Sequence, residues 1–105
     1  MRSNSRDTGI MKNIKVIDWL KAELVSSVAA LLKAMVKGSE ELILECITGI
    51  IITTYILGAR VGIPFSRIDL SVKTRLRDNT MKEHEVEKWF GDITNLRYYM
   101  EENRR

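Results

Sequence analysis

The sequence is short of the residues that build turns, sheets and cross-links. It has one proline, one cysteine, one histidine, six glycines and 7% aromatics in 105 residues. So little turn and strand vocabulary, beside abundant Leu, Ile, Ala, Glu, Lys and Arg, predicts helices. With His84 as the only histidine, no Ser-His-Asp, Cys-His or multi-histidine metal arrangement is available, and an exposed position at a helix start is expected for it. Cys46 lies inside the apolar run LILECITGIII, where it closes no internal disulfide and joins no Cys/His metal cluster; a buried, reduced thiol is expected. Gly58 and Gly62 fall within and after a helix, without the strand that a phosphate-binding glycine loop requires. The polar start MRSNSRDTGIMKN lacks the apolar centre of a signal peptide, so a cytoplasmic location is expected.

One-signed charge is scarce too. Of the net +3, residues 1–12 hold +2, from Arg2, Arg6 and Lys12 against Asp7. No basic face or stacking platform is concentrated in the remainder, so no nucleic-acid partner is expected. The length leaves room for one domain, read as residues 13–105 behind a flexible tail of residues 1–12.

What is present is helical periodicity. From about Asn13, the residues Ile17, Leu20, Leu24, Val28, Leu31 and Met35 advance by three or four and predict a helix to about Val36. Gly38 and Ser39 interrupt it. Ser39, followed by Glu40 and Glu41, predicts an N-cap with acids in the first turn, where the helix dipole favours them. The second helix should reach about Val61, with Gly62 as its left-handed C-cap residue and Pro64 beyond, giving an antiparallel hairpin.

Between Leu42 and Leu57 this second helix carries a single charge, Glu45, and its apolar residues cover every face. Such a helix has to be surrounded. Leu42 to Ile63 approaches the roughly 20 residues of a membrane span. Glu45 and Arg60, with Thr48, Thr53 and Thr54 between them, argue against that, and no membrane partner is expected. A chain of this length covers a core helix on two or three sides, so self-association, most simply as a homodimer completing the bundle, is the expected remedy.

A third helix is predicted over Ser66 to about Asn79, with Ile68, Val72 and Leu76 at fourfold spacing. From Lys82 onward a stripe of Val86, Trp89, Phe90, Ile93, Leu96 and Met100 predicts further helix, with a break at Gly91 and Asp92 capping the last piece. Trp19, Trp89, Phe90, Tyr98 and Tyr99 are expected as core or interface anchors. The fold class is therefore all-α: a four- or five-helix bundle on a long antiparallel pair, completed by oligomerisation.

The segment from Asn13 to about Asn79 consists of a long helix, a short break, a long apolar helix ending ILGARVGIP, and a basic helix. In order and spacing it resembles the MazG-like branch of the all-α nucleotide pyrophosphohydrolases. That family's second core helix ends in an arginine-leucine-glycine-isoleucine type of stretch, and Arg60, Val61, Gly62 and Ile63 stand there in this sequence. The resemblance implies magnesium-dependent cleavage of nucleoside triphosphates to monophosphate and pyrophosphate, using an ExxE pair on one helix and an ExxD pair on the next. Converging carboxylates of that kind supply the hard oxygen ligands magnesium needs.

Counted back from Gly62, the first pair falls at Glu23 and Ser26 and the second at Cys46 and Gly49. Three of the four positions lack a carboxylate, so the resemblance implies weak or no hydrolysis. Two alternatives stand beside it: an active enzyme with a rebuilt magnesium site from Glu23, Glu41 and Glu45, and a structural or regulatory helical protein. Glu41 and Glu45 are i,i+4 neighbours that Glu23 approaches from the partner helix. The plainer reading is that Glu40 and Glu41 cap the helix while Glu45, beside Thr48, contacts Ser26 or Ser27. For nucleotide, the family's lysine and asparagine of the third helix correspond to Arg75 and Asn79, followed by Lys82, as candidate phosphate contacts. The same basic residues also serve as an ordinary solvated face.

Overall fold

Glycine placement and heptad spacing organise the first half of the chain. The computed structural model describes residues 2–78 and 85–103, with side chains over 9–78 and 85–102. These residues form five helices and no strand: α1 Arg2–Lys37, α2 Glu40–Arg60, α3 Phe65–Arg77, α4 Glu85–Phe90 and α5 Asp92–Asn103. The chain is all-α, as its composition predicts. It divides into two compact units, residues 1–64 and 65–105.

In the first unit α1 starts at Arg2 rather than near Asn13. No proline and only Gly9 interrupt residues 2–37, so local propensity extends the helix ahead of its first apolar turn. Its end is a Schellman turn. Gly38 sits at φ +70, its N–H donates to the Met35 carbonyl at 3.2 Å, and the Ser39 N–H reaches the Ala34 carbonyl at 3.4 Å. Ser39 then caps α2, its Oγ accepting the Leu42 N–H at 3.3 Å, with Glu40 and Glu41 in the first turn. The end of α2 repeats the device: Gly62 at φ +96 donates to Ala59, Ile63 donates to Gly58, and Pro64 prevents continuation.

A side-chain bond fixes the direction of the pair. Asn13 Nδ2 donates to the Arg60 carbonyl at 3.4 Å, joining residues far apart in sequence, so α1 and α2 run antiparallel with Asn13 level with the end of α2. The protected residues of α1 are Asn13, Ile17, Leu20, Leu24, Ser27, Leu31 and Ala34, an unbroken alternation of four and three. On α2 the matching seam is Ile43, Cys46, Ile50, Thr53 and Leu57. That spacing is a seven-residue repeat, the period at which two helices keep one face together. Leu20 and Ala34 are its most deeply buried members, at 3% and 4% exposed. Thr48 and Thr54 donate their hydroxyls back to the Leu44 and Ile50 carbonyls, at 2.8 and 2.6 Å, so these threonines consume their own polarity.

The second unit has its own small core of Leu76, Ile93 and Met100, with Val72 packed against it. Leu76 and Val72 belong to the predicted stripe of α3. Ile93 and Met100 are one heptad apart on α5. Arg77 clamps the two helices together, its Nε and Nη2 both donating to Glu101 Oε1 at 3.0 and 2.6 Å, while Arg97 Nε reaches the same oxygen at 3.3 Å. The Arg77 hydrogen bonds, then those of Arg97, hold the Glu101 carboxyl below its usual range.

Gly91, at φ +65, breaks the C-terminal stripe where expected. The capping differs. Asp92 is the first residue inside α5, and the carboxylate that satisfies this helix start comes from Glu87 on α4, accepting the Thr94 N–H at 3.2 Å and the Thr94 hydroxyl. Removing it in Glu87→Ala is expected to destabilise the unit by about 1 kcal/mol, the usual worth of an N-cap. Glu87→Gln, which keeps an acceptor, should lose less; equal melting temperatures for wild type and Glu87→Ala would rule the cap out.

As core anchors, the aromatics are not what the sequence predicts. Trp19, Trp89, Phe90, Tyr98 and Tyr99 are all exposed and none belongs to a core. Trp19 directly precedes a seam position of α1, and Tyr98 and Tyr99 lie between the core-facing Ile93 and Met100 of α5. Trp89 touches Phe90 with ring centres 6.4 Å apart, and the Arg97 guanidinium lies 6.0 Å from the Tyr98 ring centre.

Candidate functional site

The heptad seam divides the outside of the hairpin into two flanks. In an antiparallel pair of right-handed helices, residues directly preceding the seam positions lie on one side of both helices, and residues directly following them lie on the other. The preceding set on α1 includes Trp19, Glu23, Ser26, Ala30 and Lys33; on α2 it is Leu42, Glu45, Gly49, Ile52 and Ile56. A groove lined by Ala30, Lys33, Ala34, Lys37, Leu42 and Cys46 joins that side of the two helices. The four positions that the resemblance assigns to metal, Glu23, Ser26, Cys46 and Gly49, are therefore on this flank or on the seam beside it. With Asn13 level with Arg60 and the turn at Gly38 and Ser39, Ser26 is about level with Gly49.

The chemistry at those positions is thin. Glu23 is an exposed carboxylate, Ser26 a neutral hydroxyl, Cys46 a half-buried soft thiol, and Gly49 offers nothing. Magnesium takes hard, preferably charged oxygen ligands in octahedral array, so this donor set does not fit it. A Cβ built on Gly49 would meet nothing within 4 Å, so the missing side chain leaves open space rather than a packed contact.

Glu23, Glu41 and Glu45, the candidate substitute, do not gather in the chain. Among the described residues no group of three or more His, Cys, Asp or Glu side chains is placed to hold a metal ion. The register explains this. Glu23 and Glu45 share a flank but are offset by about 10 Å along the pair at 1.5 Å per residue, and Glu41 sits at the back of α2, away from the seam. All three are exposed. The expected contact of Glu45 with Ser26 or Ser27 is absent among the described residues, and Thr48 bonds to its own helix instead.

On α3, Arg75 is exposed, about 100° around the helix from Leu76, along an open groove lined by Arg67, Leu70, Ser71, Thr74, Arg75 and Asp78. Two cations and two hydroxyls there present donors suited to phosphate oxygens, with Asp78 as a counter-charge. Asn79, Lys82 and His84 lie outside the described residues. Arg67, Ser71 and Thr74 were not singled out by sequence reasoning, although their i, i+4, i+7 spacing with Arg75 at i+8 was the signal that groups them.

Comparison with known families adds one finding: the model of the MazG-like family matches residues 10–93. This chain belongs to the MazG-like family. The match takes in α1 from residue 10, all of α2, α3 and α4, and the start of α5, and so extends beyond the segment that carries the resemblance in the sequence. No curated protein and no solved structure matches the chain.

Proposed function

We propose that this MazG-like protein is a relative of the nucleoside triphosphate pyrophosphohydrolases whose metal site is degenerate, with hydrolysis weak or absent. The observation that carries the reading is the set of residues at the four metal-ligand positions, where only Glu23 supplies a carboxylate. Each lost carboxylate weakens the hold on magnesium and on the water it would ionise, and each of those effects costs orders of magnitude in rate. What the chain retains toward nucleotides is cationic: Arg67 and Arg75, with Ser71 and Thr74, on the exposed face of α3.

The test is pyrophosphate release from a panel of ordinary and modified nucleoside triphosphates with magnesium, run beside Glu23→Gln and Glu45→Gln. The expected result is turnover at the level of the no-protein control for all three chains. Robust turnover abolished by either substitution would overturn the proposal in favour of a rebuilt site. A melting-temperature rise with nucleotide in the absence of turnover would mark a binding module, since only a ligand of the native state stabilises it.

A further inference from the structure

We infer that Glu23, standing where the metal site is no longer complete, reads the amino edge of a nucleobase stacked on Trp19. The inference rests on the reading proposed above, of a nucleotide-handling relative with a degenerate site, and concerns the base rather than the phosphates. The flank that carries the metal positions is not thin along its whole length. Val16, Trp19 and Glu23 directly precede the seam positions Ile17, Leu20 and Leu24 on α1, as Ile52 and Ile56 precede Thr53 and Leu57 on α2, so all five lie on the same side of the hairpin. The register that puts Ser26 about level with Gly49 also puts Glu23 about level with Ile52 and Trp19 about level with Ile56. Across the pair this makes a strip: a hydroxyl beside a gap, then a carboxylate beside Ile52, then an indole beside Ile56. Trp19 is 62% exposed, and Val16, Ile52 and Ile56 are exposed with it. Among the described residues Trp19 makes no ring contact or hydrogen bond, and Glu23 no ion pair or hydrogen bond.

Chemistry decides the occupant. An exposed indole edged by aliphatic side chains, with a carboxylate one turn along, complements a planar aromatic ligand that carries N–H donors. Stacking on tryptophan accepts any base, because every base has a π-face. Discrimination then falls to Glu23. A carboxylate only accepts hydrogen bonds, so it favours the amino group that cytosine, adenine and guanine display and that uracil and thymine lack. Side chains at i and i+4 stand about 5–6 Å apart at Cβ, within the reach of one stacked base, so Trp19 and Glu23 serve the same ligand. At Gly49 no side chain closes the far end of the strip, and a Cβ there would meet nothing within 4 Å. None of these contacts calls for magnesium.

The chain has two tryptophans, so Trp89→Phe leaves Trp19 as its sole indole. Titrating that variant with cytidine, adenosine and uridine, in the absence of magnesium, should quench its fluorescence saturably with the first two and require about tenfold more uridine, the loss of one charge-assisted hydrogen bond. Glu23→Gln in the same background should bring cytidine and uridine within about twofold of each other, since an amide both donates and accepts. In calorimetry, Trp19→Ala should lose cytidine binding by about tenfold or more with helix content unchanged, because the residue is exposed, while Trp19→Phe keeps part of it. The Trp19→Phe chain, with Trp89 as its sole indole, should show no saturable quenching. Nucleosides carry no phosphate, so the result is separate from pyrophosphate release: turnover by the native chain overturns the degenerate-site reading and leaves this inference standing. No saturable quenching, equal affinity of the Trp89→Phe chain for cytidine and uridine, or the same response from Trp89 would overturn the inference itself. So would a blue-shifted Trp19 emission indifferent to every nucleoside, which would mean that protein covers the flank.

Discussion

Placing Ser26→Glu, Cys46→Glu and Gly49→Asp together in one chain is expected to create a magnesium site where the native sequence has a single carboxylate. Residues 23 and 26 are one turn apart on α1, residues 46 and 49 one turn apart on α2, and the antiparallel register brings Ser26 about level with Gly49, so the new carboxylates at 26 and 49 meet at the centre while Glu23 and residue 46 flank them from opposite ends. Gly49 has room for a side chain, and replacing a glycine inside a helix also removes its propensity cost. Cys46 is the costly position, being half-buried on the seam, where a carboxylate is tolerated only when a cation accompanies it. The triple variant should therefore be less stable than wild type without metal and recover with magnesium. At a concentration a hundred times its dissociation constant, the ion contributes about 2.7 kcal/mol. Thermal melts with and without magnesium read this directly. Adding Glu23→Gln should remove most of the response, and a triple variant indifferent to magnesium would show that these positions do not converge.

Leu20→Ala should cost about 3 kcal/mol, the largest single-site loss expected in the hairpin. Leu20 is 3% exposed at the middle of the α1 seam, and deleting its three outer carbons loses both transfer free energy and the contacts across the cavity left behind. Val36, one residue from the end of the same helix and 90% exposed, supplies the control: Val36→Ala should stay within about 0.5 kcal/mol of wild type. Both belong in denaturant titrations at one fixed chain concentration, so that any association between copies enters the two measurements equally. Similar losses from the two would show that the seam is misassigned.

The features legible in the sequence are those whose cause lies within a few residues. Ser39 as a cap, Gly38 as an interruption, Gly62 as a left-handed helix end, Pro64 as a stop and Gly91 as a break all follow from local backbone chemistry, and each stands in the structure as expected. The three-and-four spacing of α1 is equally local, which is why the hairpin was readable. The cap of α5 was not, since the donor Thr94 is served by Glu87 from the preceding helix rather than by the adjacent Asp92. Neither were the exposed aromatics: size and hydrophobicity give no direction, and only the seam register puts Trp19 on an outer flank. The candidate site divides the same way. Its depleted donor chemistry at Ser26, Cys46 and Gly49 was plain from the letters. The separation of Glu23 from Glu45 needed the register between two helices, and a sequence read one helix at a time does not supply it.

Gly38 and Ser39 are the whole link between α1 and α2, and this leaves the hairpin no slack. Sliding one helix along the other by a heptad moves it about 10 Å, further than two extended residues reach. The pair thus behaves as a fixed scale, on which each position of α1 reads one position of α2. A point substitution changes what is written at a mark. An insertion or deletion inside either helix instead turns every residue between it and the helix end by about 100° and moves each to a different side, so apolar surface faces water and charge faces the seam. Length changes between Ser27 and Cys46 are the alterations this scaffold absorbs least, and exchanges of chemistry on its outer sides are those it absorbs best.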